Sequence, residues 1–218
     1  GPMPTQRNME LNKWKDDHHL ALGRIPLHCI GVLDEQIASR DLNIQHVANL
    51  TKKFAEMGTL HKDITLVVWV EPGERIPRSQ YSHEDKEWVA FLESHHVDPI
   101  GGHHTVTACK NLVETSNFFA TTEDFAFPLC DIHVVERTAE NMQMAYCFGM
   151  RLNVRHEALL KLSTYDRLLY IHKAYWRVWG TDLGPGAKAK IWKARKPAVM
   201  EEIGILQNNT YGSYASLA

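Results

Sequence analysis

The stretch DITLVVWVEPG, residues 63–73, constrains the fold more than any other part of the chain. It is a nearly unbroken run of β-branched and aromatic residues closed by Pro72-Gly73, the pattern of a buried strand. The segments around it are of both kinds. RIPLHCIGVL (24–33) is short, apolar and bounded by charge, which predicts a strand. NIQHVANLTKKFAEMG (43–58) sets Ile44, Val47, Leu50 and Phe54 at helical spacing and stops at Gly58. SHEDKEWVAFLES (82–94) predicts a helix capped by Ser82, with Asp85 three residues on and Trp88, Phe91 and Leu92 on one face. HVDPI (96–100) reads as a short strand, followed by a glycine turn and a helix from about His103 to Val113. FAFPLCDIHVVER (125–137) reads as a strand whose beginning Pro128 places at an edge or a bulge.

From Ala139 onward the chain reads almost wholly as helix. AENMQMAYCFGM is one, and STYDRLLYIHKAYWRVW (163–179) is a second, opened by Ser163 with Asp166 at the capping position. After the break GTDLGPG comes a basic helix cut at Pro197. Strands mixed with helices, then helices only, predict an α+β fold: a small mixed sheet with helices, followed by a helical basic appendage. The expected division is a polar, loosely ordered arm over 1–23, an α+β domain over 24–138 and a helical C-terminal region over 139–218.

Composition narrows the classes. With 218 residues, 44% hydrophobic and 23% charged, the balance is that of an ordinary globular chain and argues against disorder. The longest apolar run, Ile64–Val70, is far too short to span a bilayer, so no membrane partner is expected. No N-terminal segment has the order of a signal peptide, and Cys29, Cys109, Cys130 and Cys147 stand far apart without a CxxC pair. The thiols are expected reduced, with no disulfide framework, in an intracellular setting, cytoplasm or nucleus. Charge is unevenly spread: residues 1–150 hold 13 Lys+Arg against 21 Asp+Glu, and residues 151–198 hold 11 against 3. The basic stretch suits either an acidic partner, nucleic acid above all, or docking on the acidic remainder of the same protein.

The stretch DPIGGHHTVTACKNL (98–112) carries the chemistry. A helix N-terminus holds backbone N–H groups without partners in the helix and about half a positive charge. Glycines before it let a ligand approach the backbone, so strand–Gly-Gly–helix suits anionic oxygens, usually of phosphate. His103 and His104 rings and the Thr105 and Thr107 hydroxyls are candidate donors to those oxygens. A tight turn without a ligand has the same pattern. Metal is a third reading, since His95-His96 and His103-His104 lie close in sequence. No HExxH or HxH spacing is present and no cysteine or carboxylate completes a ligand set, so no metal site is expected.

IGGHHTVTA between a strand and a helix resembles the signature turn of the ParB/sulfiredoxin-like superfamily, in its Gly-His-His…Ala version: Gly102, His103, His104 and Ala108 match, and Thr105 stands where the family has Arg. The resemblance extends over roughly residues 24–170, with an early strand around Ile25–Ile30 followed by helix, strand and turn. It implies a nucleotide-phosphate-binding fold holding CTP, ATP or ADP, with or without Mg²⁺, on Gly101, Gly102, His103, His104, Thr105 and Thr107. On the same match Asn153 lies near a nucleotide phosphate or its metal ion, and Leu152 stands where ParB has an acidic residue. Asp34 and Glu35 fall near the place where the free serine kinases, relatives in that superfamily, hold a catalytic carboxylate, with His103 or His104 on the phosphates.

The run YIHKAYWRVWG…KAKIWKARK (170–196) interleaves aromatics with basic residues, which suits unpaired bases and phosphates. Leu168, Ile171, Tyr175 and Trp179 also form one helical stripe of a packed helix. The aromatics are therefore expected in a core, and Lys188, Lys190, Lys193, Arg195 and Lys196 at a DNA-facing surface. Three functions follow as expectations. The first is a nucleotide-binding ParB-like module acting with DNA as a binding or regulatory subunit, a homodimer or part of a larger complex. The second is an ATP- or ADP-dependent phosphotransferase with Asp34 or Glu35 as base. The third is a degenerate scaffold subunit whose turn is empty.

Overall fold

The structure, a computed structural model, describes residues 3–33, 38, 42–60 and 63–155, with the side chains of 153–155 outside the description. It is α+β, with a four-stranded mixed sheet in the order β1-β4-β2-β3. β1 (His19–Arg24) and β3 (His96–Gly101) form the edges, while β2 (Ile64–Val70) and β4 (Leu129–Glu136) lie between them. β2 and β4 run parallel, and each edge strand pairs antiparallel with its neighbour.

All seven residues of β2 are buried, as its continuous apolar run requires of a strand covered on both faces. Alternation divides them between two cores. Ile64, Leu66, Val68 and Val70 join the side built by α2 (Ile44–Met57), α3 (Lys86–Glu93) and α4 (His103–Thr115). Val67 and Trp69 join the side built by α1 (Gln6–His18) and α7 (Ala139–Arg155). Two short helices, α5 (Asn117–Thr121) and α6 (Glu123–Ala126), lead from α4 into β4.

Local chemistry sets the boundaries. Asn43 caps α2 by accepting the His46 N–H at 2.9 Å, and Gly58 ends it in the left-handed region at φ 68°. Val47, Leu50 and Phe54 are buried as their spacing predicts, but Ile44 is 80% exposed and belongs to the outer face. α3 begins later than expected: Asp85, not Ser82, is the cap, and its carboxylate accepts from the N–H groups of Glu87 and Trp88. Ser82 serves the preceding turn instead, where its hydroxyl oxygen accepts the Glu84 N–H. Trp88, Phe91 and Leu92 face the core as predicted.

Three expectations are corrected. The polar arm expected over 1–23 holds α1 and most of β1, part of the same folded body. Thr5 caps α1 by accepting the Asn8 N–H, and Leu11 and Trp14 bury one narrow face against the α7 side. The Trp14 indole N–H donates to the Asn141 side chain of α7 at 3.0 Å. RIPLHCIGVL, predicted to be a strand and matched to an early family strand at Ile25–Ile30, holds after Arg24, the end of β1, only a 3-10 turn at Leu27–Cys29. Pro26 lacks the N–H a ladder needs, and Ile25 and Ile30 fill the core from a covering segment, both 0% exposed. Pro128 lies just outside β4, which is interior to the sheet and not an edge. Among the described residues no helix is long and apolar enough to cross a membrane. The predicted helix over 163–179, the basic helix and the chain end lie outside the described residues.

Candidate functional site

β3 delivers the chain to the turn. Its last residue, Gly101, is followed by Gly102 at φ 84° and ψ 24°, which caps α4 in the left-handed region with no side chain to accept from the first-turn amides. Both glycines are required by what surrounds them. A Cβ on Gly102 would stand 3.0 Å from the Asp63 carbonyl oxygen, and one on Gly101 would stand 2.9 Å from a Leu152 methyl and 3.2 Å from Thr65 Cβ. The turn is thus pressed between the start of β2 and the far end of α7. Residue 153, the Asn of the family match, follows Leu152 in α7 and so reaches this end of the sheet by its backbone, its side chain being outside the description.

The side chains expected to serve phosphate divide by direction. His104 is buried, and its Nε2 accepts the backbone N–H of Asn43 at 2.9 Å. That bond places the proton of a neutral ring on Nδ1. The ring also meets His46 edge-on at 5.2 Å between centroids and lies 5.7 Å from His103. Thr105 is buried, and the Thr107 hydroxyl donates to the His103 carbonyl at 3.0 Å. Gly102, His103 and Thr107 remain partly exposed at the turn. The inward course of His104 and Thr105 was legible: Ala108, Cys109 and Leu112 mark the buried face of α4, and both residues lie four before one of them. Asp34, Glu35, Lys188, Lys190, Lys193, Arg195 and Lys196 lie outside the described residues.

The two histidine pairs do not converge. His95 Nε2 meets Glu74 Oε1 at 2.5 Å while its Nδ1 meets the Phe91 carbonyl at 2.6 Å. His96 Nε2 meets Asp98 Oδ1 at 2.7 Å. Hydrogen bonds from the Glu71 backbone and from His95 hold the Glu74 carboxyl below the usual carboxylate range. The thiols are the reverse of activated: burial pushes Cys29 up to about 11 and Cys109 up to about 12, and raises Cys130 further.

Sequence reasoning misses a second grouping. His28, Cys29 and Glu93 bring one nitrogen, one sulfur and one carboxylate oxygen within 4.8 Å of one another. Glu93 lies 65 residues from His28, so no local motif announces it. Comparison with family models, with curated proteins and with solved structures gave no match.

Proposed function

We propose that the chain is a nucleotide-phosphate-binding module that acts with DNA as a binding or regulatory subunit. The observation that carries this reading is the glycine cap of α4: Gly102, at φ 84°, opens a 13-residue helix without a capping side chain of its own, and a helix N-terminus of that kind favours an anionic oxygen. His103, partly exposed, is the first residue of that helix, and an imidazole N–H is the kind of group that donates to a phosphate oxygen. CTP, ATP and ADP are the candidate ligands, with Mg²⁺ as the counter-ion of their phosphates. The DNA partner rests on the basic excess of residues 151–198, with Lys188, Lys190, Lys193, Arg195 and Lys196 on the phosphates.

A scaffold with an empty turn is the second reading, and one observation favours it. Of the four side chains matched to phosphate recognition at the turn, His104 and Thr105 are turned inward and Thr107 spends its hydroxyl hydrogen on its own helix. Thermal denaturation with CTP, ATP, ADP or GTP and Mg²⁺ separates the two. A bound nucleotide at about a hundred times its dissociation constant stabilises by roughly 2.7 kcal/mol, and His103→Ala reduces that gain. No stabilisation by any of the four leaves the scaffold reading. Gel shifts of duplex and single-stranded DNA across a salt series test the second partner, and absence of binding at low salt removes it.

A further inference from the structure

His28 and Cys29 come from the 3-10 turn after Pro26, and Glu93 is the last residue of α3. His28 Nε2 stands 3.6 Å from Cys29 Sγ and 3.0 Å from Glu93 Oε1. Three readings compete for this arrangement: a surface ion pair with a thiol nearby, a nucleophilic cysteine with its base, and a metal site.

A nucleophilic relay needs the thiol on one ring nitrogen and the orienting carboxylate on the other. Here both meet the same nitrogen. Convergence on one nitrogen is what a shared cation produces. Tetrahedral zinc, with Zn–S about 2.3 Å and Zn–N about 2.0–2.1 Å, sets its sulfur and nitrogen ligands about 3.5 Å apart. The observed 3.6 Å fits that edge, and the 3.0 Å nitrogen–oxygen contact is the hydrogen bond that a cation would open slightly. Thiolate and carboxylate together also balance a divalent charge.

We infer that His28 Nε2, Cys29 Sγ and the Glu93 carboxylate form a binding site for one zinc-class divalent cation. Sulfur in the donor set selects zinc over magnesium or calcium, which take oxygen. Among the described residues no fourth His, Cys, Asp or Glu joins the group, so three protein ligands leave the fourth position to water or an added ligand. His28 also lines a neighbouring cleft of about 590 Å³, with Lys110, Val113 and Phe127 among its other walls. Nothing in this site depends on the α4 turn.

Cobalt(II) is the probe, titrated into the full chain after removal of metal by a chelator. The expected result is a near-ultraviolet thiolate-to-cobalt charge-transfer band that saturates at one equivalent and is displaced by zinc. Cys29→Ala abolishes the band. His28→Gln and Glu93→Gln alter side chains that are 67% and 51% exposed, so the fold survives and circular dichroism confirms it. Each weakens cobalt binding by more than the roughly 10–100-fold cost of losing an outer-shell partner. The 13 histidines of the chain offer other places for cobalt to bind, and the thiolate band distinguishes this one from them. Saturation without that band, or unchanged affinity in both surface variants, overturns the site.

Discussion

The backbone N–H of Asn43 donates to Nε2 of His104 across 2.9 Å, tying the capping residue of α2 to the first turn of α4. Asn43 in turn accepts the His46 N–H, so one imidazole fixes the start of a second helix. His104→Ala removes the acceptor and leaves a gap in a buried position. The expected loss is about 1–3 kcal/mol, read as a lower urea midpoint at unchanged slope. His104→Gln, which keeps an acceptor, loses less. A midpoint for the alanine variant equal to that of the parent would show that the ring carries no such tie.

Gly102 and Gly58 both lie in the left-handed region, at φ 84° and 68°, but in different surroundings. A Cβ on Gly58 meets nothing within 4 Å, whereas one on Gly102 stands 3.0 Å from the Asp63 carbonyl. Gly58→Ala therefore costs the backbone alone, about 1–2 kcal/mol. Gly102→Ala costs that and the displacement of β2, so it is the more damaging of the two by chemical denaturation. Equal losses would mean that the β2 backbone yields freely.

What the sequence made legible follows from the range of the interactions. β2, α2, α3 and α4 announce themselves because periodicity and capping are local, and Val47, Leu50, Phe54, Trp88 and Leu92 are buried as their spacing demands. α1 was missed because its anchor is Asn141, 127 residues away, and a helix with only Leu11 and Trp14 buried has almost no apolar stripe. Ile25 and Ile30 are buried in a covering segment and not in the strand expected there, since apolar content reports burial and not conformation. The turn at Gly101-Gly102 was found from its residues. The direction of His104 was written in the helical period of α4, and the meeting of His28 with Glu93 was written nowhere local.

Asp98 tests how a buried charge is held in β3. It is 0% exposed, accepts the Trp69 indole N–H at 2.7 Å on one oxygen and meets His96 Nε2 at 2.7 Å on the other. Asp98→Ala strands the indole N–H in the α7-side core and unseats a residue of the sheet edge. The expected loss is about 1–3 kcal/mol, the scale of a buried polar group left without its partner. Trp69→Phe removes the indole donor, keeps the His96 contact and loses less. Denaturant midpoints of the two variants check the order, and a mild loss in Asp98→Ala contradicts it.

His133 gives the fold a pH dependence of defined sign. The ring is 0% exposed on β4, its Nδ1 lies 3.3 Å from the Leu66 carbonyl, and its Nε2 has no hydrogen-bond partner. Burial pulls its pKa below the ordinary 6.5, with the Asp131 charge opposing and His19 and Lys15 adding to the fall. The folded ring thus stays neutral where the unfolded one has begun to bind a proton. Its contribution is fully present above pH 6.5, declines as pH drops below that value and stops changing once the folded ring is itself protonated. His133→Leu removes the titrating group and the unsatisfied nitrogen together. Urea unfolding of both chains at about pH 7.5 and about pH 5.5 should show a smaller acid loss in the variant. Parallel losses in the two would place the acid sensitivity elsewhere, with the His133 ring keeping an ordinary pKa.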